Sequence, residues 1–416
     1  MRKLFFIITI IVSFFTLEIY AQPKDFIFKI QPIGGIILPL TENVTLINPN
    51  PTLGGEFAIE FPSWNEYPWQ QYLNNPTLGV GFVGLNLGNN KVLGQSFALY
   101  PYLLIDIVKT PIFELNWKAG AGLSFFTKTY NKTFELFGKN DPSWSMKHPL
   151  CNNLIGSIVN VYLTTGINFN FLISKHFALN ADFGYMHMSN GSVLQPNGGV
   201  NIMYASIGTS YKLNTNNSSK TAHFQSLPYK WSINITGSAG YRELYYKDNK
   251  GYGIGSLHIG TTYNISNWYA LGGSIDAFYD GVFNQQGAGY RKHTNFGRYI
   301  ILNENLSNKF RVAISINNEF KIGRVTAILD WGMYLYDPIR LAYTDTDGNK
   351  YTKRPLLYKY NIDKEDGWNY FRLGVRCRVW DNIYLQTAVK THLSKAEMLE
   401  WGIGYQIPFK KKENKN

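Results

Sequence analysis

The feature that most constrains this chain is a period-two alternation that recurs in segments of ten or more residues along most of its 416 residues. In "HFALNADFGYMHMS" Phe177, Leu179, Ala181, Phe183 and Tyr185 fall on one side, with Ala178, Asn180, Asp182, Gly184 and Met186 on the other. A spacing of two places alternate side chains on opposite faces of an extended strand. One face here is aromatic and aliphatic, and the other is small or polar. A water-soluble sheet needs its apolar face covered, whereas a membrane-spanning strand turns that face to lipid over about 9–11 residues.

Eight such segments follow one another: "FIFKIQPIGGIIL", "TLGGEFAIEF", "TLGVGFVGLNLG", "QSFALYPYLLIDIV", "FELNWKAGAGLSFF", "IVNVYLTTGINFNFLI", "HFALNADFGYMHMS" and "VNIMYASIGTSYKL". After the polar stretch "NTNNSSKTAHFQSLPYK" a second set of eight begins at "WSINITGSAGYRELYY" and ends at "EMLEWGIGYQIPF". The closing hairpins of the two sets align, "ALNADFGYMHMSN" with "YLQTAVKTHLSKA", and both penultimate strands end in His-x-Ser. This is the mark of a tandem duplication.

Links alternate in length. "VKTP", "SKH", "NISN", "IGR" and "WDN" are tight, while those over 128–153, 284–308 and 338–367 are long. Outer-membrane barrels have short periplasmic turns and longer outer loops. The expected fold is therefore all-β, an antiparallel transmembrane outer-membrane β-barrel of about 16 strands in two eight-strand repeats. "PSWNEYPWQQYLNNP" breaks the rule, being long on the short side. One wide barrel and two separate eight-stranded barrels both fit the pattern. The single barrel is favoured, because only the second repeat closes with an aromatic terminal strand, Leu399, Trp401, Ile403, Tyr405, Ile407 and Phe409. A secreted β-sandwich would have shorter strands and bury its aromatics.

The remaining boundaries follow. Residues 1–21 read as a signal peptide, with Arg2 and Lys3 before "LFFIITIIVSFF" and Ala21 at the cleavage point. Residues 22–213 form the first repeat, 214–228 a polar connection, 229–410 the second repeat and 411–416 a basic tail. Composition agrees: 16% of residues are aromatic and only 16% charged, against about 25% charged in soluble domains. The net charge of +12 has no compact basic cluster before "KKKENKN", so anionic lipid headgroups rather than nucleic acid are the expected partners. Two distant cysteines make no disulfide framework. The oligomeric state is left open.

The stretch "GYMHMSNGSVLQPNGGVN" holds the candidate site. Continuing the period of two, His187 and Ser189 share the outward face of Tyr185 and reach the outer rim. Asn201 shares the parity of Met203, Ala205 and Ile207 on the next strand, so antiparallel pairing brings it beside them. Unpaired polar groups are costly in hydrocarbon, so the cluster either sits at headgroup level or does chemistry there.

His187-x-Ser189-Asn190-Gly191, followed by Pro196-Asn197-Gly198-Gly199, resembles the signature of the lipid A 3-O-deacylases of the PagL type, a family of outer-membrane barrel hydrolases. The resemblance spans one hairpin. It implies an eight-stranded barrel and ester hydrolysis of an O-linked acyl chain of lipid A, the lipopolysaccharide anchor, in the outer leaflet of the Gram-negative outer membrane. Ser189 would be the nucleophile and His187 its base, with Asn197 or the backbone around Asn190 and Gly191 holding the oxyanion. No cofactor and no metal is implied. The resemblance also implies an acidic third member twelve residues after the serine, where this chain has Asn201. An amide orients an imidazole but does not stabilise an imidazolium as a carboxylate does. The competing reading is a non-enzymatic barrel serving as a pore or surface-binding protein. In the second repeat His392 and Glu400 share the inward parity of Tyr384, Gln386 and Lys390, as do Arg372, Arg376 and Arg378. That set reads as a polar lattice inside the barrel, not as a second site.

Overall fold

The computed structural model describes residues 26–40, 42–63, 68–213, 229–243, 251–284, 306–338, 355–360, 366–393 and 395–410. The expected signal peptide, polar connection and basic tail lie outside these residues, as does Ser394 of the second His-x-Ser pair.

Two closed eight-stranded barrels form, not one wide one. The first comprises β1 (Ile27–Ile37), β2 (Thr52–Phe61), β3 (Thr77–Asn86), β4 (Gln95–Lys109), β5 (Phe113–Phe126), β6 (Val159–Leu172), β7 (Phe177–Ser189) and β8 (Val200–Lys212). The second comprises β9 (Tyr229–Glu243), β10 (Gly251–Asn264), β11 (Tyr269–Asp280), β12 (Phe310–Ile322), β13 (Val325–Tyr336), β14 (Asn369–Arg378), β15 (Ile383–His392) and β16 (Lys395–Lys410). The expectation of a single barrel fails at two ladders. Strand β8 pairs with β1, from Ile27 opposite Lys212 to Ile37 opposite Ile202, and β16 pairs with β9. Once β1 has taken β8 as its second neighbour, neither strand has an edge left for the other repeat.

Neighbouring strands are antiparallel throughout. The links at 110–112, 173–176, 265–268, 323–324 and 379–382 are short, and 127–158, 281–309 and 337–368 are long. A short helix, Pro68–Tyr72, lies in the long link between β2 and β3 that breaks this rule. Among the described residues, no helix is long and apolar enough to cross a membrane; the strands do so.

Outward faces of the first barrel carry exposed apolar residues, among them Ile30, Phe57, Phe82, Leu99, Phe183 and Ile207. Inward faces are filled, as an eight-stranded interior must be. A salt-bridged lattice occupies the mid-barrel: Lys118 Nζ lies 2.9 Å from Glu56 Oε1, and Lys29 Nζ lies 3.2 Å from Asp182 Oδ2. Gln31 Nε2 donates to both carboxylates, at 2.9 and 2.8 Å. Each of these four charges has an opposite partner, without which it would be severely destabilising. An apolar cluster that includes Met186, Met188, Ile202, Val200 and Tyr162 also fills this interior. The alternation in β7 follows from these demands, apolar toward lipid and polar or compact toward the filled centre.

The second barrel is lined differently. Arg372 bridges Asp276 at 2.7 Å and Glu400 at 2.8 Å. Arg376 is paired with Glu319, and His258 Nδ1 lies 2.8 Å from Asp276. His392 is fully buried, with Nδ1 2.9 Å from the Asn369 carbonyl and Nε2 2.8 Å from Glu397. The inward parity read for His392, Glu400, Arg372 and Arg376 holds, whereas Arg378, at the end of its strand, is exposed.

Candidate active site

The site is built at one end of β7 by register and parity. His187 lies opposite Asn201 in the β7–β8 ladder and opposite Leu163 in the β6–β7 ladder. Because His187, Ser189 and Asn201 all belong to outward faces, closure of the barrel leaves the three on its outer wall. All three are partly buried, while inward Met186 and Met188 are fully buried.

The distances form a chain. Ser189 Oγ is 2.9 Å from His187 Nε2, and His187 Nδ1 is 2.7 Å from Asn201 Oδ1. An amide oxygen only accepts, so the imidazole proton belongs on Nδ1. Nε2 then keeps its lone pair and accepts from the serine hydroxyl. Asn201 Oδ1 takes a second hydrogen bond, donated by the Tyr185 hydroxyl. Period-two reading placed Tyr185 on this face but missed its part in the constellation. The available signal was its spacing: Tyr185 pairs with Met203, two residues from Asn201, and such diagonal neighbours are within reach of a long aromatic side chain.

The hairpin that follows shapes the rest. Gly191 and Ser192 have φ of 62° and 69°, and Gly199 has φ of 73°. Left-handed backbone at Gly191 and Gly199 suits residues without a Cβ. At Gly199 the reason is also steric, since a Cβ there would lie 3.2 Å from His187 Cε1 and 3.7 Å from Ser189 Cβ. The Gly199 amide donates to the Leu154 carbonyl at 3.0 Å, tying the hairpin to the β5–β6 loop. In that loop Cys151, Asn152, Asn153, Leu154 and Ile155 are almost wholly buried. Asn152 Nδ2 donates to the Lys128 carbonyl at 3.1 Å, and Asn153 Nδ2 to that of Met146 at 2.7 Å.

The proposed oxyanion donors separate here. The Asn190 amide N–H donates to Asn197 Oδ1 at 3.0 Å, and Asn190 Nδ2 donates to Ser157 Oγ at 2.9 Å. Both bonds hold Asn190 into the loop, so its backbone amide is engaged before any substrate arrives. The same bond occupies the Asn197 carbonyl oxygen with the Asn190 amide. Asn197 keeps its NH2 as a donor by chemistry, and Gly191 has the left-handed backbone of the turn.

In the second barrel Asp366, His392 and Glu397 bring potential ligand atoms within 4.8 Å of one another. Lys390 and Arg311 already neutralise Glu397, the latter at 3.0 Å. This grouping belongs to the buried charge lattice.

A membrane-spanning eight-stranded barrel bearing a hydroxyl–imidazole–carboxamide relay on its wall defines a class: outer-membrane barrels with a hydrolase-type surface site. The comparisons with known proteins agree with that class. Two family models match the chain in succession: lipid A 3-O-deacylase (PagL) over residues 54–210, and the acyloxyacyl hydrolase C-terminal domain over residues 231–353 and 355–411. No curated protein matches the chain. Among solved structures, the outer-membrane enzyme PagL is 14% identical over 45% of this chain and 99% of its own, with a TM-score of 0.26. Neisserial surface protein A is 8% identical over 45% and 95%, with a TM-score of 0.28. The Pseudomonas putida toluene transporter TodX is 8% identical over 92% and 89%, with a TM-score of 0.17. The fold assignment rests on the two closed ladders themselves.

Proposed function

We propose that the first barrel is a serine esterase that removes an O-linked acyl chain from lipid A in the outer leaflet. The observation that carries this reading is the unbroken relay Ser189–His187–Asn201, at 2.9 and 2.7 Å, on a wall that faces lipid. The match to the deacylase model supplies the substrate class. Long links support reading the loop-bearing end of the barrel as the external one, and on that reading the relay lies near outer-leaflet headgroups and their ester bonds.

The chemistry follows from the tautomer. Ser189 Oγ attacks the acyl carbonyl as its proton passes to His187 Nε2. The carbonyl oxygen becomes an oxyanion, to which Asn197 Nδ2 donates. Collapse breaks the C–O bond to the sugar, and His187 returns the proton to the departing sugar oxygen. Water then attacks the acyl-serine with His187 again as base, releasing the fatty acid and restoring Ser189. Asn201 holds the ring without charge, so the imidazolium formed in each half-reaction is less stabilised than beside a carboxylate. The filled interior of the first barrel argues against the competing reading of this repeat as a pore.

The test is expression of the full chain in a Gram-negative host, followed by mass spectrometry of its lipid A. Loss of one ester-linked acyl chain, abolished by Ser189→Ala, is the expected result. Unchanged lipid A beside heat-modifiable, folded protein would overturn the proposal.

A further inference from the structure

We propose that Tyr185 is a positioning residue whose hydroxyl holds the Asn201 amide oxygen-first toward His187, and so sets the imidazole tautomer. This rests on the Ser189–His187–Asn201 reading and deepens it.

A carboxylate in the third position presents an acceptor whichever way it turns. A carboxamide does not. Rotated by half a turn, Asn201 offers its NH2 to His187 Nδ1, which then has to be the unprotonated nitrogen. The proton moves to Nε2, and the ring can no longer take the proton of Ser189. In serine hydrolases the wrong tautomer costs about 10⁴ in kcat. An amide in this place therefore needs something to choose its rotamer.

Tyr185 supplies the choice. Its hydroxyl donates to Asn201 Oδ1, the atom that also meets His187 Nδ1. Turning the amide over deprives the phenol of its acceptor and brings the amide NH2 to both neighbours. A phenol is a strong donor and a poor acceptor, because its lone pair is delocalised into the ring. On a lipid-facing wall there is little water to replace the lost bond. Both interactions arise from the same ladder, with His187 directly across from Asn201 and Tyr185 diagonal to it. Two donors converging on one oxygen make that orientation the favoured one.

The experiment uses the full chain in detergent micelles with purified lipid A, as Tyr185→Phe, Asn201→Asp and the double variant. Phe keeps the ring in lipid and removes only the hydroxyl. In the Asn201 protein, Tyr185→Phe is expected to lower kcat by about tenfold or more with KM unchanged. In the Asn201→Asp protein the same change is expected to alter kcat by less than about twofold, since a carboxylate has no wrong face. An unchanged kcat in the first background, or an equal loss in both, overturns the proposal. Nitrogen-15 NMR of the histidine rings, with His187 identified by its loss in His187→Gln, reads the tautomer without turnover. The expected result is Nδ1–H in the unmodified protein and a growing Nε2–H population in Tyr185→Phe. Nε2–H in the unmodified protein, or no change between the two, is equally fatal. If lipid A is untouched or Ser189→Ala still cleaves it, the esterase reading fails by itself, and the NMR comparison decides the role of Tyr185.

Discussion

His187 and Asn201 stand directly opposite each other in the β7–β8 ladder, joined through Nδ1 and Oδ1 at 2.7 Å. Directly opposite residues have Cβ atoms about 4.5–5.5 Å apart, a spacing fixed by the ladder between the two strands. The ring orientation that the proposed catalysis needs is therefore built into the barrel wall rather than into a loop.

Replacing Asn201 by Leu keeps the volume and removes the acceptor. The deacylation rate should fall by about 10²–10⁴-fold, the range set by loss of the correct tautomer. Folding should persist, since leucine on a lipid-facing strand is favourable. Steady-state rates in lipid A micelles, beside heat-modifiability on gels, check both halves.

Asn197 is expected to act through its NH2 alone. Asn197→Ala should lower kcat by about 10²–10³-fold with little change in KM, as removal of one oxyanion donor does. Asn197→Asp keeps the acceptor for the Asn190 amide and removes the donor, so it should be equally poor. A full rate in Asn197→Asp would take the oxyanion role away from this side chain.

At Gly199 one methyl group has two consequences. Its φ of 73° strains any side chain, and the new Cβ would press on His187 Cε1 from 3.2 Å. Gly199→Ala should lower the rate by less than the roughly 10²-fold that a misplacement of about 1 Å costs, because the ring has to give by only a fraction of that distance. Barrel closure should survive, since the strain lies in the hairpin and not in a ladder.

The mid-barrel lattice predicts a stability effect without a catalytic one. Lys118→Met leaves Glu56 and Asp182 short of a partner they meet at 2.9 and 3.4 Å. Breaking a buried pair from one side costs about 3–5 kcal/mol. Urea unfolding in lipid vesicles, followed by tryptophan fluorescence, should show a loss of that order.

Cys151 offers a reading of the β5–β6 loop. Burial pushes its thiol up to about 12, and the thiolate is the reactive form. Because the value is raised, thiolate is scarce throughout neutral pH and grows only as pH approaches 12. Maleimide at pH 8 should leave Cys151 unlabelled in folded protein and label it after unfolding, as mass spectrometry of the peptides will show. Rapid labelling of the native protein would mean that the loop opens above the hairpin.

The strands, their faces and their order were legible in the chain because alternation is a local property, set residue by residue by lipid on one side and a packed interior on the other. The same local rule sent His187 and Ser189 outward and His392 inward, and antiparallel pairing across one hairpin brought Asn201 to His187. Closure was not legible. Whether β8 pairs with β1 or hands its edge to the second repeat is a choice between partners far apart in sequence, and periodicity is identical in both cases. The engagement of Asn190 was hidden for the same reason, since its side chain is held by Ser157 in a different loop. So was the pressure on Gly199, which comes from a ring on the preceding strand. The sequence alone determined an alternating outer-membrane chain with a histidine, a serine and an amide on one face. Only the tertiary structure decided that eight strands suffice to close, and that Tyr185 meets Asn201, because ring closure and diagonal contacts depend on register, which no single strand contains.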